Sequence, residues 1–340
     1  MSKASNFIRR AYRIVRATVP VTSIDREILK EYSKKLVSIS CNLCRSGDTE
    51  QLCFEQRFQT GIPVVICKTC GLIYLNPRWS NESYSHFYKE NYRRLMGKSD
   101  KSPSEVALMQ RIHGSKILSF CSDFLQSGSS VIDIGCGAGG VLWLFREAKA
   151  CHVVGVEPSV KESAYARERL RIQVRTELFE QVKLPESSFD LAIMTQTLNH
   201  LLDPFGQLEH IRNLLKPKGK LFVEVRNFPE YSKISRRPTQ VDHVYYFTPE
   251  TLECMLRKVG FEPLRTEVDT ADKARLVHPY MWHRGAFIHI RMLVIKSNPE
   301  PHINYHDYSL IRNSVLRELG KRKARWKSII INKLDKIKTI

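Results

Sequence analysis

From residue 131 onward, short apolar runs alternate with longer segments whose apolar positions recur at three- and four-residue spacing. The runs 131–134, 152–156, 172–175, 191–194 and 220–225 read as strands, and 140–148 and 204–215 as helices between them. Such alternation predicts an α/β domain with a doubly wound parallel sheet. Two further runs, 261–268 and 287–295, would add a hairpin at one edge. Ahead of this domain the pattern changes. Residues 1–40 read as a basic helical segment, 41–75 as a small module, and 76–125 as a helical connector that ends in an apolar helix near Ile117 to Leu125. The Ser-Gly-Ser-Ser stretch at 127–130 then punctuates the chain. The main domain is placed at 126–298 and a basic amphipathic tail at 299–340, where Trp326, Ile330, Leu334 and Ile337 recur at helical spacing. No internal repeat is visible.

Composition adds limits. With 340 residues and 42% apolar content, the chain can bury a large core. Its longest apolar stretches are too short to cross a bilayer. Arg9, Arg10, Arg13 and Arg16 interrupt any secretory h-region. The net charge of +19 is concentrated at the ends: residues 1–40 carry +6 and residues 311–340 carry +8. Basic ends of this kind suit an anionic membrane surface or RNA, and equally a solvated face over a packed stripe. Four of the nine cysteines form two Cys-x-x-Cys pairs and the rest are scattered, which favours a reducing cytoplasm over a disulfide scaffold.

The sharpest chemical signal is Val131-Ile-Asp-Ile-Gly-Cys-Gly-Ala-Gly-Gly140, an apolar strand running into a glycine turn that opens a helix. Gly135, Gly137 and Gly139 allow a tight bend and a close approach to a ligand. Glu157 ends the next strand, where a carboxylate can accept from both hydroxyls of a ribose. The spacing also satisfies a dinucleotide fingerprint. Asp133 favours the other reading, because a carboxylate there repels a pyrophosphate and suits a ligand carrying ammonium and sulfonium charge.

In these residues the chain resembles the class I S-adenosylmethionine methyltransferases over roughly 128–265. Asp133 and the glycine turn look like that family's first motif, and Glu157 matches its ribose-binding acid. Leu184-Pro-Glu-Ser-Ser-Phe-Asp190 with Leu191-Ala-Ile-Met194 looks like its fourth-strand motif, and 214–223 is similar to its turn into strand five. The resemblance implies a Rossmann-like, seven-stranded methyltransferase sheet, with S-adenosyl-L-methionine held by Asp133, Gly135, Gly137, Gly139, Glu157 and Gln196.

Cys41-x-x-Cys44 and Cys67-x-x-Cys70 can place four thiolates on two knuckles, the tetrahedral set of a closed, structural Zn²⁺ in a zinc-ribbon-like module. Cys53 is spare. With Tyr84, Phe87, Tyr88 and Tyr92 behind it, this region resembles the zinc-bearing front of methyltransferases that modify sugars. Those enzymes carry a sizeable further C-terminal domain, whereas about 75 residues follow Leu264 here.

Three residues are catalytic candidates. His200 follows the fourth strand at the carboxyl edge, where such sheets bind ligands. His243 and Tyr246 lie in Asp242-His-Val-Tyr-Tyr-Phe-Thr-Pro249, after strand five. The plainer alternatives are a helix-start histidine at 200 and aromatic lid packing at 245–247. His278, Tyr280, Trp282, His283 and His289 cluster without metal spacing. The expected function is methyl transfer to a small-molecule acceptor, a sugar or cell-surface glycan precursor, in the cytoplasm or at the inner membrane surface. An RNA methyltransferase and a non-enzymatic cofactor-binding protein are the alternatives.

Overall fold

The computed structural model describes residues 22–95, 101–235, 237–272 and 288–320. The basic segment before residue 22, the Trp326 to Ile337 stripe, and His278, Tyr280, Trp282 and His283 lie outside the described residues. Helix α1 (Ser23–Tyr32) starts on a reciprocal cap, in which Thr22 Oγ accepts from the Asp25 amide and Asp25 accepts from the Thr22 amide. A two-residue strand β1 (Leu36–Val37) follows, and the four cysteines come next in and around an antiparallel sheet. Its strands are β2 (Thr49–Phe54), β3 (Pro63–Cys67) and β4 (Ile73–Leu75), while β5 (Arg78–Trp79) returns to pair with β1.

The connector holds α2 (Asn81–His86), a single π-helical turn at Phe87–Asn91, and the long α3 (Pro103–Cys121), capped by Ser102 and Glu105. The main domain then unfolds as the sequence pattern predicts. The sheet contains β6 (Ser130–Ile134), β7 (His152–Val156), β8 (Gln173–Arg175), β9 (Phe189–Thr195) and β10 (Leu215–Arg226), all parallel. Helices α4 (Gly140–Lys149), α5 (Val160–Leu170) and α6 (Pro204–Leu214) supply the crossovers. A two-residue strand, β11 (Tyr245–Tyr246), and helix α7 (Pro249–Val259) precede the antiparallel pair β12 (Phe261–Val268) and β13 (His289–Lys296). The seven strands run in the order β12-β13-β10-β9-β6-β7-β8, the expected seven-stranded, Rossmann-like sheet closed by an edge hairpin.

Central strands are buried on both faces and so read as continuous apolar runs. In β6 the exception is Asp133, 1% exposed. One apolar cluster fills one face of the sheet with α3, α4 and α5 residues such as Phe120, Val141, Phe145 and Ala166. The other face shares its core with the cysteine module: Ile132, Met194 and Val223 belong to the same cluster as Ile66, Tyr74 and Trp79.

The small sheet is completed from far away. Its order is β11-β4-β3-β2, with Tyr245 opposite Tyr74 and Tyr246 opposite Ile73. The residues between 41 and 75 therefore do not close their own sheet; a strand from the segment after β10 does. Side chains reinforce the union. Asn42 donates to Asp203 at 2.7 Å and accepts from the Phe205 amide at 2.8 Å, so it seats the start of α6 on the first knuckle. The helical residues 308–320 lie against the second knuckle, where Ile311 covers Gly71 and Arg312 pairs with Glu50.

Candidate functional site

At the carboxyl ends of β6 and β7, the glycine turn is built by positive φ angles at Gly135 (81°), Gly137 (53°) and Gly139 (80°), which side chains avoid. Helix α3 lies across it. Gln110 Nε2 donates to the Cys136 carbonyl at 3.0 Å, and Gln110 Oε1 accepts from the Gly140 amide at 3.1 Å. A Cβ on Gly140 would stand 2.2 Å from the Ala107 carbonyl oxygen, so only glycine lets the two helices meet there. Gln110 escaped the sequence reading because no local spacing links it to a turn 26 residues away.

Glu157 is fixed from both sides: one carboxylate oxygen accepts from the Gly137 amide at 2.9 Å, the other from the Ser159 amide at 2.8 Å. Asp133 has no comparable support. Its Oδ1 is buried without a hydrogen-bond partner, and burial together with the Glu157 charge pushes its carboxyl up to about 8. Two buried acids side by side, one with an orphaned oxygen, fit a cationic ligand and repel a pyrophosphate. The residues present thus suit S-adenosylmethionine.

Gln196 sits in the left-handed region (φ 52°) at the end of β9, and its amide N–H donates to the Glu224 carbonyl at 2.8 Å. Its side-chain amide donates to Glu224 Oε1 at 3.3 Å. Glu224 is fully buried and anchors a network: His113 lies 3.0 Å from one oxygen, and Arg291 donates to the other at 2.7 Å. Burial opposes its ionisation, but His289 and His113 outweigh that and hold its carboxyl well below the ordinary carboxylate range. His113 and Arg291 were not singled out by sequence, and His289, noted there only for clustering without metal spacing, is part of this network.

Thr197 links the glycine turn to the cluster around His200. Its hydroxyl donates to the Ile134 carbonyl at 3.1 Å, and it occupies the space beside Gly135. Three residues on, His200 ends a 3₁₀ turn (Leu198–His200) and meets the segment after β10. The Asp242 carbonyl accepts from His200 Nδ1 at 2.7 Å and from the Tyr88 hydroxyl at 3.2 Å. A carbonyl cannot donate, so Nδ1 carries the imidazole proton. The His243 ring stands 4.7 Å from that of His200, nearly perpendicular, and the Val244 amide donates to the Asn199 carbonyl at 2.9 Å, which ties the two segments together. Tyr88 comes from the π-helical turn, and burial raises its phenol well above the ordinary range, ahead of the charge of Asp242. Tyr92 packs edge-on against His200.

Tyr246, the third catalytic candidate, is placed differently. Its hydroxyl donates to the Gln240 carbonyl and accepts from the Gln240 amide, both at 2.9 Å. Both hydrogen-bonding roles are spent on the backbone, so Tyr246 braces the loop that carries Asp242 and His243.

All four module cysteines converge. Cys41 and Cys70 sulfurs are 3.5 Å apart, Cys44 and Cys67 sulfurs 3.4 Å, and every sulfur lies within 4.8 Å of the others. Around a tetrahedral zinc with bonds of about 2.3 Å, sulfurs sit about 3.8 Å apart. The arrangement fits that ion, and all nine cysteines are free thiols. Contact with Cys41 pulls the Cys44 thiol down to about 7. Cys53 lies outside the set.

Residues 107–266 match a family model described as a methyltransferase domain. Phosphoethanolamine N-methyltransferase 3 of Arabidopsis thaliana is 24% identical over 253 residues, 66% of this chain and 49% of that protein. A ubiquinone biosynthesis O-methyltransferase of Aromatoleum aromaticum is 29% identical over 154 residues, 40% of this chain and 65% of that protein. The chain thus spans about half the length of the first of these relatives and under two thirds of the second. Among solved structures, an S-adenosylmethionine dependent methyltransferase from Mesorhizobium loti superposes with a TM-score of 0.44 at 20% identity, covering 52% of this chain and 96% of that one. Among the described residues, no helix is long and apolar enough to cross a membrane.

Proposed function

We propose, for a chain whose residues 107–266 belong to the class I S-adenosylmethionine-dependent methyltransferases, that it methylates a small molecule bound against Tyr88, His200 and His243. The acceptor we favour is a sugar or glycan precursor. The observation that carries this reading is the meeting, at one sheet edge, of a cofactor end with an orphaned buried acid and an acceptor end lined by histidines and tyrosines, joined through Thr197.

S-adenosylmethionine supplies an electrophilic methyl group on a sulfonium. The chain's own residues do the rest. Asp133 opposes the cationic end of the cofactor, Glu157 holds its ribose, and the glycine turn lets the backbone come close. Gln196 shapes the floor through Glu224 rather than by direct contact. On the other side, Tyr88 and Tyr92 wall the acceptor, and His200 and His243 face its reacting group, where its proton must leave. A positioned group at that point accelerates transfer by aligning the acceptor and accepting charge. The four cysteines hold Zn²⁺ structurally, and through β11 they hold the Asp242–His243 loop.

The test is transfer of labelled methyl from S-adenosylmethionine by the full chain to three acceptor sets: nucleotide sugars and glycan precursors, phosphoethanolamine-like amines, and phenols. Label in the first set supports the reading. Label confined to amines or phenols ends the sugar assignment and leaves methyl transfer standing.

A further inference from the structure

We propose that His200, Asp242 and His243 hold a divalent first-row cation that binds the acceptor's reacting group, a metal site separate from the four cysteines. The proposal rests on the reading that the acceptor lies at this cluster.

Asp242 is the starting point. It has no exposed surface, and among the described residues neither carboxylate oxygen has a hydrogen-bond partner. A carboxylate so placed needs a compensating cation. Among the described residues no lysine or arginine supplies one within salt-bridge reach; the group that approaches is His200, whose Nδ1 lies 3.8 Å from Oδ2. That nitrogen already gives its proton to the Asp242 carbonyl at 2.7 Å, so the lone pair of the ring is on Nε2. A ring nitrogen fixed by a backbone carbonyl, with the other nitrogen presented as a donor, is how metal-binding histidines are usually oriented.

One ligand atom from each of the three residues lies within 4.8 Å of the other two. Donors around a tetrahedral ion with bonds of about 2.1 Å sit about 3.4 Å apart, so a closure of at most about 1.4 Å completes the site. Two imidazoles and a carboxylate suit zinc, manganese or iron(II), and leave positions open for a substrate. The cysteine set, by contrast, is all thiolate and closed.

The chemistry follows. An acceptor hydroxyl bound to the cation becomes more acidic and releases its proton to water. An oxygen lone pair then forms the new C–O bond while the C–S bond breaks, its electron pair staying on sulfur as a neutral thioether. The balance is one acceptor and one sulfonium in, one methyl ether, one thioether and one proton out. In this arrangement the histidines are ligands, and the ion, not an imidazole, lowers the barrier to losing the proton.

The experiment titrates Mn²⁺ alone into the full chain after removal of loosely held metal, following the electron paramagnetic resonance of free Mn²⁺. Manganese is a poor competitor for a thiolate zinc site, so the cysteine module is undisturbed. We expect one Mn²⁺ per chain, bound about 100-fold more weakly by Asp242→Asn and by His243→Gln. Unchanged S-adenosylmethionine affinity checks that each variant is folded. An absence of Mn²⁺ binding to the parent chain, or equal binding by Asp242→Asn, overturns the proposal. Methyl transfer that persists undiminished in a chelator also overturns it, leaving the acceptor reading intact. Mn²⁺ binding lost in both ligand variants supports the site even if no tested acceptor is methylated.

Discussion

The proposed cofactor end and the proposed acceptor end of this site are made in opposite ways. The first comes from one contiguous strand-turn-helix unit and the next strand, residues 131–157, with α3 laid over it. The second is gathered from the cysteine sheet, the π-helical turn, the 3₁₀ turn after β9 and the loop before β11. A contiguous unit is held by its own backbone hydrogen bonds. A gathered one depends on whatever brings its pieces together, here the metal-ready knuckles and the two-residue strand β11.

That contrast can be broken most sharply at the cysteines. Stripping zinc, or Cys70→Ser, should abolish methyl transfer while leaving S-adenosylmethionine affinity within about threefold, because a structural metal is folding free energy for its own module. Calorimetry and a transfer assay on one preparation read both. Equal loss of cofactor binding would show the two ends to be one cooperative unit.

Within the acceptor end, His243→Ala should lower kcat by about 10²- to 10⁴-fold with cofactor affinity unchanged. A parallel loss in cofactor affinity would place His243 on the wrong side of the comparison.

The mirror experiment is Asp133→Asn, which should weaken S-adenosylmethionine by about 10- to 100-fold, the range of a hydrogen bond to a charged group. The pH dependence of the cofactor-free protein sharpens this. An acid raised to about 8 in the fold, against about 4 in the unfolded chain, binds more protons when folded. Its contribution is therefore fully present below pH 4 and lost as pH rises towards 8. Asp133→Asn should be the more heat-stable apo protein, by a margin that widens over that window. A constant margin would mean that Asp133 is ionised from the start.

The smallest effect belongs to Tyr246→Phe. Losing both hydrogen bonds to Gln240 should cost about 1–3 kcal/mol of stability in denaturant melts. Cofactor affinity should not move.

How much of this could be read from sequence follows the same division. Asp133, the glycines and Glu157 were legible because the turn's geometry demands those residue types at close spacing. The seven-stranded sheet came from the resemblance and is found as expected, while its strand order is read from the structure alone. Gln110, His113 and Arg291 carry no local signature, since their partners lie across the fold. Asp242 was visible only as the neighbour of His243; its significance is that it is buried and unpaired, which no pattern of types announces. Tyr246 shows the reverse case, an apparently reactive residue whose hydroxyl is spent on backbone.

Strand β11 also bears on the order in which the protein can be made. The cysteine knuckles leave the ribosome before the main domain, and about 175 further residues must follow before Tyr245 and Tyr246 arrive to cover β4. Until then β4 is a bare edge with Ile73, Tyr74 and Leu75 on it, the kind of edge that recruits strange strands. Metal uptake can precede domain completion, but sheet completion cannot. The nascent module is thus a half-closed clasp, and the window between its two closures is where a chaperone, or a misfolding partner, would find it.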